Sequence, residues 1–171
     1  LGLGDLGQAA ASRLQAIGFP VSGWSRSLKV LSGIESYSGD EGLSKFLSCT
    51  NILVCLLPLT DSTRGILCSA LFNQLPRGAC LVNPGRGERL CEQDLLDSLD
   101  SGQIRAAMLD VFQNEPPKVN HPFWQHTAII MTPHIAGTTQ TDSGGTALLE
   151  NVLRHRSGEA MEGEINRSMG Y

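Results

Sequence analysis

Five short apolar runs, "FPVSGW", "NILVCLL", "GACLVN", "IRAAMLD" and "TAIIM", punctuate the 171-residue chain, with helical or loop stretches between them. Runs of this length that are apolar throughout, rather than alternating, predict strands buried on both faces. Strands of that kind alternating with helices predict an α/β fold, a doubly wound parallel sheet. The right-handed crossover rule then leaves few topologies. Between "GACLVN" and "IRAAMLD", Leu95, Leu96 and Leu99 share a helical face, Glu92 and Asp94 stand in the first turn and Gly102 follows the last. This is the pattern of a crossover helix.

The chain opens on "LGLGDLGQAAASRL". Gly2, Gly4 and Gly7 spell G-x-G-x-x-G, which closes a strand and opens a helix in dinucleotide-binding (Rossmann-like) folds. Leu6, Ala10, Leu14 and Ile17 then recur at helical spacing, with Gly18 as a stop, so this helix is expected to bury that face. In physical terms Gly2 permits the turn, Gly4 admits a pyrophosphate to the backbone and Gly7 lets the helix pack on the sheet. Only Leu1 stands where the strand belongs. A central strand cannot be omitted without leaving two neighbours with unpaired edges, so the sequence predicts an N-terminally truncated piece of a longer protein. The expected organisation is a dinucleotide-binding domain lacking its first strand over residues 1–157, then a polar tail over 158–171. Within the first part, "TTQTDSGGTALLENVLRHR" predicts a helix, although Gly144 and Gly145 cost it ~1 kcal/mol each relative to alanine.

Ligands of an open parallel sheet bind beyond the carboxyl ends of its strands. There the chain places Ser25, Arg26 and Ser27 after "FPVSGW", Pro58 and Thr60 after "NILVCLL", and Arg86 in "NPGRG" after "GACLVN". Asp110 ends "IRAAMLD" with Glu115 close behind, and "TAIIM" runs into "TPHIAG" with His134. An NAD site carries an acid at the end of the second strand; here Arg26 stands in its place. A guanidinium flanked by Ser25 and Ser27, with Lys29 nearby, suits a 2′-phosphate, so NADP(H) is preferred and NAD(H) possible. The alternative for Arg26 is a solvent-facing loop arginine. Arg86, His134 and Glu115 have bland readings of their own: a surface arginine, a satisfied loop histidine, a turn acid. As a set they supply a cation for an anionic substrate, an imidazole to move a proton and a carboxylate to orient it, which suits carbonyl reduction. His121, His126 and His155 lack such neighbours in the sequence and read as structural or exposed, and Trp124 as a packing residue.

Composition narrows the classes. The formal net charge of −4, with no cluster of Lys or Arg, argues against a nucleic-acid surface. No apolar run reaches the ~18–20 residues of a membrane span, and the start has no secretory or transit pattern, so a cytoplasmic protein is expected. The five cysteines, Cys49, Cys55, Cys68, Cys80 and Cys91, show no C-x-x-C pair and no companion histidines, which predicts reduced, buried thiols and no metal.

Through "LGLGDLG", "LLPLT", "NPGRG", "AMLDVFQNEPP" and "TPHIAG", in order along nearly the whole chain, the sequence resembles the D-isomer-specific 2-hydroxyacid dehydrogenase family. "GWSRS", "FWQH" and the closing "MGY" resemble its branch that reduces glyoxylate and hydroxypyruvate. The resemblance implies that Arg86 grips the keto-acid carboxylate and carbonyl, that His134 is the acid and base, and that Glu115 hydrogen-bonds His134. It implies a cofactor site from Gly2, Gly4, Asp5, Leu6 and Gly7, with Ser25, Arg26, Ser27, Leu57 and Pro58, and Asp110 near the nicotinamide carboxamide. The implied reaction is NADPH-dependent reduction of a small 2-keto acid by a homodimer, and residues 158–171 are implied to be a return segment to an absent substrate domain. Two rival readings stay open: a phosphoglycerate-type dehydrogenase, and a non-catalytic dinucleotide-sensing module like the corepressors that share this fold.

Overall fold

The computed structural model of the protein describes residues 1–137 and 140–164. The chain forms two compact units, Leu1–His134 and Ile135–Tyr171.

The first unit alternates strands and helices: α1 (Asp5–Ala16), β1 (Ser22–Trp24), β2 (Glu35–Tyr37), α2 (Gly39–Ser48), β3 (Ile52–Val54), α3 (Ser69–Phe72), β4 (Ala79–Asn83), α4 (Glu92–Asp100), β5 (Ile104–Leu109) and β6 (Ile129–Met131). Two short 3-10 turns, Gly87–Arg89 and Pro122–Trp124, lie in the loops after β4 and β5. All ladders are parallel, β1 with β2 in one sheet and β3-β4-β5-β6 in another. Leu1–Leu3 fills the slot between the two. The Gly2 amide donates to the Trp24 carbonyl on one side, while the Leu56 amide donates to the Leu1 carbonyl on the other, each at 2.8 Å. The order β2-β1-(Leu1–Leu3)-β3-β4-β5-β6 is thus a doubly wound sheet whose direction of winding reverses beside Leu1–Leu3.

Four of the five apolar runs form the four-stranded sheet, and Leu53, Leu81, Ile104 and Leu109 are fully buried, but burial is not on both faces as expected: Ile52, Met108 and Ile130 are 53%, 38% and 63% exposed. Each fully buried side chain contributes roughly 1.5–3 kcal/mol by leaving water. The crossover helix also forms as its pattern predicts, with Leu95 and Leu99 buried. Two further features differ from expectation. Strand β2, "ESY", escapes a search for apolar runs because it lies at the end of the sheet order beside β1 and buries little. Helix α1 buries Gly7 and Ala11 rather than the Leu6 and Ile17 face; those two are 73% and 72% exposed. Its seam is cut by small residues because the helix approaches the glycine turn too closely for larger ones.

The cysteines are free as expected, but only Cys55 is buried; Cys49 is exposed and the others are partly so. In the second unit α5 (Thr141–Ser157) forms despite Gly144 and Gly145, and Gly158 ends it in the left-handed conformation that glycine adopts without strain. No described helix is long and apolar enough to cross a membrane. The "MGY" motif and residues 165–171 of the tail lie outside the described residues.

Candidate active site

The expected site residues of the first unit follow the carboxyl ends of adjacent parallel strands. At the start, Gly2 has φ +91°, and a Cβ there would lie 2.8 Å from the Leu56 carbonyl carbon. A Cβ on Gly7 would collide with the Gly2 carbonyl oxygen, whereas one on Gly4 would meet nothing within 4 Å. Two glycines therefore build the turn, and the third leaves an open approach to the N-terminus of α1. The helix begins at Asp5 with no side-chain cap, so the amides of Asp5, Leu6 and Gly7 face outward as donors. At the end of β1 the Ser25 amide bonds to the Tyr37 carbonyl and its hydroxyl donates to the Ser27 carbonyl at 2.8 Å, which shapes the turn carrying exposed Arg26. After β3, Leu57 is buried, and the Thr63 hydroxyl donates to the Pro58 carbonyl at 2.6 Å, fixing that loop.

Beyond β4 the fully buried Asn83 organises the arginine loop: its Nδ2 donates to the Arg86 carbonyl and its Oδ1 accepts from the Gly85 amide. Arg86 is exposed, and its Nη1 donates to the Gly85 carbonyl at 2.7 Å. The next residue, Gly87, packs so closely on Phe112 that a Cβ would collide with the Phe112 carbonyl. The Phe112 amide in turn donates to Glu115 Oε1 at 3.0 Å, and Glu115 Oε2 lies 2.7 Å from His134 Nδ1. The arginine loop and the Glu115–His134 dyad are thus joined through one glycine contact and one amide bond. Asp110, 1% exposed, ties the same edge together: its amide bonds to the Asn83 carbonyl, its carbonyl accepts from the His134 amide at 2.9 Å, and its carboxylate accepts from the Thr132 hydroxyl. His134 itself adopts φ +55°, a left-handed conformation rare outside glycine and concentrated at sites where the surroundings dictate the backbone.

Burial pushes the Glu115 carboxyl up, but the Phe112 amide and the His134 ring together hold it below the ordinary carboxylate value. The carboxylate is therefore ionised beside the imidazole. A cleft of about 400 Å³ opens beside the dyad, with Phe112, Pro116, Trp124 and Met131 among its walls. Trp124 is 54% exposed there and anchored by its indole N–H on the Lys118 carbonyl, so it is a cleft wall and not a core packing residue.

The other histidines separate themselves by how their rings are bonded. Nδ1 of His121 accepts from the Phe123 amide while Nε2 meets Glu92 Oε2 at 3.2 Å. Likewise, Nδ1 of His126 accepts from the Ala128 amide, and Nε2 lies 3.5 Å from Asp100 Oδ1. The sequence gives these two no carboxylate neighbours; the fold supplies them from the two ends of α4. Both ring nitrogens are committed, and the pair pins the loop after β5 to that helix. His155 is exposed on α5. In His134 only Nδ1 is engaged among the described residues. Two contributors escape the sequence altogether: Asn83, which reads as the tail of an apolar run, and Arg89, which reads as a solvated charge but is 3% exposed. Among the described residues no group of three or more His, Cys, Asp or Glu is placed to hold a metal.

A family model described as "D-isomer specific 2-hydroxyacid dehydrogenase, NAD binding domain" matches residues 1–136. The glyoxylate/hydroxypyruvate reductase A of Salmonella paratyphi B is 44% identical over 171 residues, all of this chain and 55% of that protein. This chain thus spans about half the length of the curated relatives it matches. Among solved structures, a D-isomer specific 2-hydroxyacid dehydrogenase from Xanthobacter autotrophicus Py2 in complex with NADPH and MES superposes with a TM-score of 0.95 at 40% identity, over 99% of this chain and 70% of that one. The NADPH-dependent glyoxylate/hydroxypyruvate reductase from Sinorhizobium meliloti, in complex with NADP and sulfate, gives 0.93 at 41% identity, over 99% of this chain and 55% of that one.

Proposed function

This chain belongs to the D-isomer specific 2-hydroxyacid dehydrogenase family, and from that membership we propose that the protein reduces small 2-keto acids with NADPH, glyoxylate and hydroxypyruvate foremost. The observation that carries the reading is the His134–Glu115 dyad at 2.7 Å, reached from the same sheet edge as Arg86. The names of the similar reductases support the substrate class.

The residues present fit a dinucleotide phosphate. The open space at Gly4 before the outward amides of α1 suits a pyrophosphate, and the Ser25-Arg26-Ser27 turn, with no carboxylate among its three residues, suits a 2′-phosphate. When bound there, NADPH supplies a hydride to the keto carbon. Arg86 forks onto the substrate carboxylate and carbonyl, which fixes the acid and draws charge toward the carbonyl oxygen. His134, held by Glu115 through Nδ1, delivers a proton from Nε2 to the forming alkoxide. Glu115, ionised, keeps the ring oriented and sets a negative charge beside it. Asp110 fixes the His134 backbone and would hold the nicotinamide carboxamide.

The test is oxidation of NADPH and NADH by the complete protein against glyoxylate, hydroxypyruvate and pyruvate. Rapid NADPH-dependent turnover of the first two is the expected result. Tight cofactor binding without turnover of any acid would replace the reductase with a dinucleotide-sensing module.

A further inference from the structure

Arg89 ends the 3-10 turn that follows Arg86 and is 3% exposed. Its Nε and Nη1 have no hydrogen-bond partner among the described residues. A desolvated guanidinium with unused donors is costly, so its presence calls for an account. Its position supplies one. A Cβ on Gly85 would collide with Nη1 of Arg89, so the guanidinium fills the space a side chain would take. The carbonyl of that same Gly85 accepts the Arg86 Nη1 bond at 2.7 Å. One peptide therefore carries a buried cation on its Cα side and the exposed cation of the candidate site on its oxygen. The groups bearing on Arg89 are Cys55 and Arg86, with Glu88 next to it in the chain. Burial first, and then the like charge of Arg86, hold the guanidinium below the usual arginine range, against the opposing pull of Cys55 and Glu88.

We propose that Arg89 is a positioning residue of the substrate site: seated against Gly85, it fixes the peptide on which Arg86 leans and adds a second positive charge behind it, tightening the site for a small carboxylate anion. Two adjacent cations with few counter-charges repel each other until an anion arrives, so ligand binding relieves a strain that a lone arginine would not carry. The inference rests on Arg86 being the carboxylate-binding cation.

The experiment compares wild type, Arg89→Gln, Arg89→Lys and Arg89→Leu in the complete protein. The readouts are steady-state kinetics with glyoxylate and calorimetric titration of oxamate onto the protein saturated with NADP. Arg89→Gln and Arg89→Leu are expected to raise the glyoxylate KM and the oxamate Kd about tenfold, as loss of one nearby charge does, with kcat within about threefold and the NADPH KM unchanged. Arg89→Lys should recover most of the oxamate affinity. If Arg89→Leu fails to fold, the Gln and Lys pair carries the comparison. An unmoved oxamate Kd in Arg89→Gln, or a loss shared equally by NADPH affinity and Tm and not rescued by Lys, overturns the proposal and leaves the reductase reading standing. A wild type that binds oxamate but turns over no keto acid sinks the reductase reading, while the oxamate titration still decides the role of Arg89.

Discussion

At the scale of single residues the molecule distinguishes its histidines by which nitrogens are spoken for. His121 and His126 spend both on the fold, and among the described residues His134 spends one. Replacing His134 with alanine in the complete protein is expected to lower kcat/KM about 10²–10⁴-fold while NADPH binding, read by fluorescence, persists. Arg26→Gln is expected to raise the NADPH KM about tenfold and leave the NADH KM alone, since a 2′-phosphate contact is absent from NADH. Glu115 has a pH signature. Its carboxyl ionises more readily in the folded chain than its ordinary value of 4.5. The stability it contributes is thus fully present above that value and lost as pH falls through the lower folded one. The Tm of Glu115→Gln should therefore lie below wild type at pH 7, by an amount worth less than ~1 kcal/mol because the carboxylate is partly exposed, and the gap should close in acid. Most of this residue chemistry is legible in the sequence because each polar group stands just past an apolar run. Arg89 and Asn83 are not, because nothing local marks a charged or amide side chain as buried; only the loop's closure over them does.

At the scale of elements, the glycine turn and α1 give a sharp contrast. Gly7→Ala would drive a Cβ into the Gly2 carbonyl and should destabilise the protein by about 1–3 kcal/mol, seen as a lowered denaturation midpoint. Gly4→Ala, with open space around it, should leave that midpoint in place and weaken NADPH binding instead. The strands of the four-stranded sheet are readable because their runs are apolar, although Ile52, Met108 and Ile130 stay exposed. β2 is not, since an edge strand that buries little carries no such mark. The apolar stripe of α1 misled for a related reason: contact area goes to Gly7 and Ala11, where the backbone comes closest, and Leu6 and Ile17 are left in water.

At the scale of the whole molecule, the dyad is open to solvent in these 171 residues: the side chains of His134 and Glu115 are 47% and 36% exposed. Hydride chemistry on a carbonyl wants water excluded and the acid oriented. A preparation of these 171 residues is expected to bind NADPH yet to turn over glyoxylate at least about a hundredfold more slowly than a reductase of the length of the relatives it matches, a loss of the size that positioning and solvent exclusion supply. Equal rates would mean that the site is finished within this chain.

The bridge made by Leu1–Leu3 has a kinetic side. Strand β1, which ends in the Ser25–Ser27 turn, and its neighbour β2 meet the remainder of the sheet through the Gly2 to Trp24 hydrogen bond and the packing of Leu3 on Gly23. A seam so thin is where the sheet parts first. Among the described strands, amide exchange is expected to be faster along β1 and β2 than along β3, β4 and β5, and if the Ser25–Ser27 turn holds the 2′-phosphate as proposed, the rate at which that pair of strands parts sets how quickly the adenosine end departs. Strengthening the seam would lengthen the residence of the nucleotide without touching a single atom of the reacting centre.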